Sequence, residues 1–337
     1  MKIKSITISG LRSFGPEPVT LELGPRTVLI GPHGAGKSTV IMALEMLHAM
    51  ANGRSHEMPC LYDDEWPSDT LPDISVSAEL EGDTINRSSR VDIAIVRNHG
   101  PRPWCSIRSE KFTQRYGEST QEYEFIGQNA GRRKEQSYEV RQEFDALLSI
   151  HKYTNVGQTY LPAAVLGGSD AHASQIAHEF KTVYGDFTGF EKFNQLSMVP
   201  TVGIRETNGR LTLLRHLSVG MRTYLGLLAF LMTAGGERKG IMLIEEPDAG
   251  LHPDLLHHLA GVIKRASEHC QIVMTTNNPG MLSEFSETPE DVVVVERPFD
   301  HTELKRLERA PLERWLKDYS LGHAWESGAI GGRMEVI

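Results

Sequence analysis

Apolar and polar positions alternate over residues 3–8 and again over 19–23, and a short apolar run follows at 27–30. A period of two sends alternate side chains to one face of an extended chain, so these segments predict strands, the third one buried. Beyond Lys37 the period changes. Val40, Ile41, Leu44 and Leu47 recur at helical spacing, which predicts a helix with one buried face. Alternation returns over 73–80, whereas the polar, Arg-rich stretch after it, to about Lys134, shows only weak periodicity. Helical patterns cover 138–150 and 171–184, and Pro162 with Gly167 and Gly168 breaks the chain between them.

Regular patterning resumes after about Leu196. A strand over 202–205, a hairpin turn at Asn208 and Gly209 and a second strand over 210–214 lead into a long apolar helix at 219–232. An apolar strand at 241–244, a helix at 254–267 and strands at 271–275 and 292–296 complete the series. Strands alternating with helices predict an α/β fold with a largely parallel or mixed sheet covered by helices on both faces. No internal repeat is visible. The expected organisation is one head whose N-terminal part is 1–80 and whose C-terminal part is 196–297, split by an inserted α+β region at 81–195 and followed by an appendix at 298–337.

Charge and composition narrow the partners. The formal net charge of -9 gives the surface as a whole no attraction for nucleic acid or anionic lipid, so any such contact must be local. The richest cationic stretch sets Arg87, Arg90, Arg97, Arg102, Arg108, Lys111 and Arg115 against only Asp92 and Glu110. It reads first as a solvated strand face and second as a polyanion contact. No apolar run approaches the ~20 residues that span a bilayer, and the first ten residues carry no secretory pattern. Cys60, Cys105 and Cys270 form no CxxC pair, which argues against a zinc ribbon or a disulfide framework. A cytoplasmic setting without membrane contact is the expectation.

Three segments carry chemistry. Gly31-Pro-His33-Gly34-Ala35-Gly36-Lys37-Ser38, followed by Thr39, matches G-x-x-x-x-G-K-[ST] between an apolar strand and an amphipathic helix, the context a phosphate-binding loop requires. Its backbone N–H groups and helix N-terminus suit phosphate; Lys37 would neutralise the β- and γ-phosphates, and Ser38 would offer a hydroxyl to Mg²⁺. The strand 241–244 ends in Glu245 and Glu246, expected to serve the metal shell and to act as general base, respectively. Leu217-Ser218-Val219-Gly220 precedes the long apolar helix, where Ser218 can cap the helix and Gly220 permits close approach of an anion. His257 and His258, by contrast, read as solvated rather than as metal ligands.

The order of these segments resembles the ABC-type ATPases, and within them the soluble branch of RecF, the SMC heads and the OLD-like or AAA_21-type ATPases. Leu11-Arg12-Ser13-Phe14 is similar to the branch's "FRSF" element, 31–38 to its "GPNGSGKS" loop and 217–220 to its "LSxG" signature. Glu245-Glu246-Pro247-Asp248 with Leu251-His252-Pro253 resembles an "EEPE...LHP" Walker B and D-loop, and Thr275-Thr276-Asn277-Asn278-Pro279 a "TTHSP" switch. The resemblance implies an ABC-type P-loop NTPase head that uses ATP and Mg²⁺ and forms a homodimer or higher oligomer around two sandwiched ATP molecules. Ser218 and Gly220 of one subunit would meet the γ-phosphate held by Lys37 of the other, and Arg12 would lie near adenine or ribose.

Departures from the pattern shape the expected activity. His33 replaces the usual Asn and Glu245 the usual Asp, while Asn277 stands where most relatives carry the switch histidine. Asn can hydrogen-bond phosphate or water but cannot exchange a proton near neutral pH, so slow hydrolysis is expected. The glutamine-loop residue is left open among Gln114, Gln121 and Gln128. With no Toprim segment before Ile337 and no sustained heptads, neither a nuclease nor a long coiled coil is expected. The resemblance instead implies an ATPase that controls a separately encoded effector, a nuclease or toxin, in antiphage defence or genome maintenance, with DNA as a further candidate partner. An ATP-dependent binding module without turnover and a transporter ATPase subunit are the alternatives.

Overall fold

The computed structural model describes residues 2–51, 73–81, 87–98, 104–116, 119–126, 150–153, 170–193, 201–232, 240–299 and 301–331. Its centre is a six-stranded sheet built from β3 (Arg26–Ile30), β8 (Ile150–Tyr153), β12 (Ile241–Glu245), β13 (Gln271–Thr276), β14 (Val292–Glu296) and β15 (Glu303–Arg306), in the order β15-β14-β3-β13-β12-β8. All neighbours run parallel except β15, which pairs antiparallel with β14. Near-continuous apolar runs such as Val292 to Val295 are what a sheet buried on both faces demands.

The period of two divides this sheet between two cores. Val28, Ile30, Met242, Ile244, Ile272, Met274, Val292 and Val294 face one side, where they join residues from helices α2 (Asp170–Val183), α3 (Val219–Leu231), α4 (Pro253–Ala266) and α5 (Pro279–Ser283). Leu29, Leu243, Val273, Val293 and Val295 face the other, against helix α1 (Lys37–Ala51) and a second sheet. That sheet is antiparallel throughout: β1 (Lys2–Ser9), β2 (Val19–Glu22), β4 (Ile74–Glu81), β5 (Arg87–Asn98), β6 (Trp104–Tyr116) and β7 (Ser119–Ile126), in the order β2-β1-β4-β5-β6-β7. The buried Gln271 side chain joins the two sheets, accepting from the Ile3 N–H and donating to the Ile3 carbonyl, each at 2.8 Å.

The remaining elements sit around this frame. Strands β9 (Phe187–Phe193), β10 (Thr201–Glu206) and β11 (Leu211–Leu213) form a small antiparallel sheet. Short helices α6 (Arg309–Leu312) and α7 (Leu321–Glu326) end the described chain. No helix among the described residues is long and apolar enough to cross a membrane.

The Arg-rich stretch is the main difference from the expected pattern. It forms β5 and β6, long strands that pair in the same sheet as β4. Three of its cations are matched by carboxylates: Arg90 with Asp92 at 2.9 Å, Lys111 with Glu122 at 3.1 Å and Arg108 with Asp73 at 3.5 Å. This favours the solvated strand face over a polyanion contact; Arg102 lies outside the described residues. Of the helix expected over 138–150, Ile150 instead begins β8, and the rest lies outside the described residues. So do Pro162, Gly167, Gly168 and Gln128, whereas Gln114 is buried on β6 and Gln121 sits exposed on β7.

Candidate functional site

The loop 31–36 joins the carboxyl end of β3 to the first residue of α1. Lys37 folds back over it, its Nζ donating to the Gly31 carbonyl at 2.7 Å and the Pro32 carbonyl at 2.9 Å. Burial lowers the pKa of this ammonium, and the charge of Glu246 counters that shift. Ala35 and Thr39 close tight turns onto Pro32 and Gly36 through their N–H groups. A Cβ placed at Gly34 would meet nothing within 4 Å, so the loop is open there. Exposed His33 lies on the same loop, and Ser38 and Thr39 lie in the first turn of α1, where the helix dipole favours an anion.

The back of the loop is supported by residues far away in sequence. Thr302, 1% exposed, donates through Oγ1 to the Ala35 carbonyl at 2.8 Å and shares a hydrogen bond with the Ser13 hydroxyl at 2.7 Å, while its N–H donates to the Ser13 carbonyl at 2.8 Å. A Cβ at Gly36, whose φ is +115°, would fall 2.5 Å from Thr302 Oγ1 and 2.8 Å from Ser13 Oγ, so only glycine lets the loop lie on this support. Ser13 belongs to the turn after β1, which also presents exposed Arg12 at φ +50°. Thr302 was not singled out from the sequence. A lone threonine in a polar tail has no periodicity or motif to mark it, and only the pairing of β15 with β14 brings it here.

On the other side of β3, the ends of β13 and β12 bring the switch and the acids together. Glu246 adopts φ +44°; it and Arg12 are the two non-glycine residues with positive φ among the described residues. Such a backbone costs ~1–3 kcal/mol and persists where the surroundings impose it. Here the Glu246 N–H donates to both the carbonyl and Oγ1 of Thr275, each at 3.1 Å. Its carboxylate accepts from Asn277 Nδ2 at 3.1 Å. Glu245, one residue earlier, faces Lys152 of β8 at 3.6 Å, and Lys152 also pairs with Glu45 of α1 at 3.0 Å. Burial raises the pKa of Asp248, against hydrogen bonds from its own N–H, Thr276 and Asn278 that lower it.

Ser218 and Gly220 stand apart from this junction, at the start of α3. The Met221 N–H donates to Ser218 Oγ at 3.2 Å, the expected cap. Gly220 packs on the loop after the paired acids, where a Cβ would meet the Gly250 carbonyl oxygen at 2.6 Å. Within one chain, the structure therefore gathers Lys37, Glu246 and Asn277, backs the loop with the turn that carries Arg12, and sets Gly220 against Gly250 and Leu251 instead. His258 is not solvated as expected. Its side chain is 20% exposed and lies 3.1 Å from Glu179 and 2.7 Å from Thr182 Oγ1, with Tyr224 on its other ring nitrogen, while neighbouring His257 is 87% exposed.

The residues present suit a nucleotide and the metal that accompanies it. The glycine loop is open at Gly34, Lys37 rests on carbonyls that an anion would replace, and Asn277 Oδ1 and Asp248 Oδ1 are buried without a hydrogen-bond partner among the described residues. No three His, Cys, Asp or Glu side chains group to hold a metal among the described residues. A hydroxyl and one carboxylate, Ser38 and Glu245, match Mg²⁺, which keeps most of its ligands as water and phosphate oxygens.

Comparison with known proteins agrees with this geometry. The family model described as "AAA domain, putative AbiEii toxin, Type IV TA system" matches residues 110–283, about half of the chain. A solved SMC head bound to the C-winged helix domain of ScpA superposes with a TM-score of 0.63 at 13% identity, covering 94% of this chain and 100% of that one. An SMC head domain from Thermotoga maritima gives 0.54 at 17% identity over 91% and 100%. A Smc head with an extended coiled coil, bound to the C-terminal domain of ScpA derived from Pyrococcus furiosus, gives 0.60 at 12% over 94% and 99%. At these identities the likeness is one of fold, the SMC-head and ABC-ATPase form of the P-loop NTPase. No curated protein sequence matches the chain.

Proposed function

The chain belongs to the AAA_21 family, and from that premise we propose that it is an ATP-binding, slowly hydrolysing ABC-type switch that dimerises around ATP and controls a separate effector protein. The observation that carries this reading is the junction at three strand ends, where Lys37 lies over the loop carbonyls and Glu246 is held by Asn277. The N–H groups of 31–39 and the Lys37 ammonium bind the phosphates. Ser38 and Glu245 hold Mg²⁺, which when bound neutralises charge on the phosphate oxygens. Glu246 takes the proton of the water that attacks the γ-phosphate, and Asn277 orients Glu246 rather than relaying that proton.

In the dimer, Ser218 and Gly220 complete the site of the opposite subunit, so that closure depends on the γ-phosphate and reopening follows its loss. Antiphage defence or genome maintenance in the cytoplasm, with a nuclease or toxin as effector and DNA as a further ligand, is the setting this chemistry suits. The test is Glu246→Gln. Turnover should disappear while ATP binding persists, and light scattering should show an ATP-dependent dimer that outlasts that of the wild type.

A second reading, an ATP-held binding module without turnover, is favoured by one observation: no titratable group occupies the Asn277 position. It predicts a wild type that releases no phosphate and is indistinguishable from Glu246→Gln. Effector control is tested separately by co-purifying the neighbouring gene product with and without ATP; equal or absent association in both states rejects it.

A further inference from the structure

We propose that Phe299 recognises the base of the nucleotide, stacking its ring on the purine from the loop between β14 and β15, on the flank of the site that also carries Arg12. This inference rests on the nucleotide-binding reading above. Phe299 is 83% exposed, the most exposed large apolar side chain among the described residues, followed by Val219 and Tyr319. A single exposed apolar residue is ordinary in itself. Its position is what carries the argument.

Strand β14 runs beside β3 with Val294 opposite Ile30, and the Val295 carbonyl oxygen would lie 2.0 Å from a Cβ at Gly31. The chain is back at the phosphate loop by Thr302, which bonds to the Ala35 carbonyl. The segment carrying Phe299 therefore leaves the loop at its first residue and returns at its fifth. His301 packs on the turn after β1, since a Cβ at Gly15 would fall 2.7 Å from the imidazole. The turn with Arg12 and the loop with Phe299 thus form one wall beside the phosphate loop. Three Cα–Cα steps lead from Phe299 to Thr302, so its Cα lies within about 11 Å of the Thr302 Cα by chain reach alone.

Electrostatics separates this wall from the opposite one. The flank of β13 and β12 carries the carboxylates of Glu246 and Glu245, which the proposed function commits to water and metal chemistry. The segments 11–15, 297–299 and 301–302 carry an arginine and an exposed phenylalanine, two side-chain types that stack on a purine face. Stacking tolerates any base, so Phe299 separates nucleotide from free polyphosphate, not adenine from guanine.

The experiment uses the full chain with Mg²⁺, titrated calorimetrically with ATP, GTP and inorganic tripolyphosphate. Phe299→Ala should bind ATP and GTP roughly tenfold more weakly while tripolyphosphate affinity is unchanged. In Phe299→Trp, fluorescence should quench with ATP beyond the wild-type change and not with tripolyphosphate. Unchanged ATP affinity in Phe299→Ala, or an equal loss for tripolyphosphate, overturns the stack and leaves the nucleotide site standing. A wild type that binds neither ATP nor tripolyphosphate overturns both.

Discussion

Asn277 Nδ2 donates to Glu246 Oε1 at 3.1 Å, joining the end of β13 to the end of β12. The pair sets the expected pH behaviour, because an amide cannot titrate and a histidine in its place would. Wild-type turnover should show no inflection from this position, whereas Asn277→His should acquire one near pH ~6.5. Asn277→Ala should lower kcat by about tenfold, since it removes only the orientation of the base, with ATP affinity kept. Phosphate release measured across the pH range, alongside ATP titration, checks both. An equal fall in ATP affinity would place Asn277 in binding instead.

Thr302 is expected to matter as much as a motif residue. Removing its hydroxyl in Thr302→Val strands the Ala35 carbonyl and Ser13 in a buried place, at a cost of about 1–3 kcal/mol. Denaturant unfolding should show that loss, ATP affinity should fall with it, and Thr302→Ser should restore both. A Val variant that loses stability and binds ATP normally would limit Thr302 to holding β15.

The head was legible where side chains declare their spacing. The phosphate loop, the paired acids and the capped start of α3 are local patterns, and the strands and helices that flank them lie within a residue or two of where the spacing puts them. What was not legible depends on partners. β5 and β6 bury Ser89, Glu110, Thr113 and Gln114 beside Val91, Ile93 and Phe112, so polarity no longer marks the outward face and the alternation looks weak. β8 is four residues, two of them the polar His151 and Lys152, and its identity as a strand comes from β12 beside it. Thr302 and the burial of His258 are likewise set by contacts between segments far apart in the chain.

His258 gives a pH-dependent stability with a defined sign. Burial lowers its pKa below the usual 6.5, the charges of Arg265 and His257 lower it further, and Glu179 opposes them. Burial also raises the pKa of Tyr224, keeping the phenol a donor to His258 Nδ1. A folded value below the unfolded one means that the contribution is full above about pH 6.5 and is lost as pH falls through the folded value. The stability gap between wild type and His258→Gln should therefore narrow from neutral to acidic pH, read from urea midpoints. A gap that widens on acidification would mean that attraction to Glu179 outweighs burial.

Gly220→Ala probes the link between the signature and the loop after the acids without touching any phosphate-binding atom of its own chain. The added methyl would sit 2.6 Å from the Gly250 carbonyl oxygen, closer than real contacts allow, so the start of α3 or residues 248–251 must shift. Neither the 31–36 loop nor Lys37 depends on that contact, so binding of ATP to the monomer should stay within about twofold of wild type. Ser218, two residues before Gly220, would be displaced relative to Gly250 and Leu251, and it lies on the surface that the proposed dimer closes. The expected outcome is loss of the ATP-dependent dimer and of most turnover, with the Glu246→Gln background used to make dimerisation visible by light scattering. If the double variant still dimerised with ATP as well as Glu246→Gln alone, the signature would not be the surface that reads the γ-phosphate of the opposite subunit.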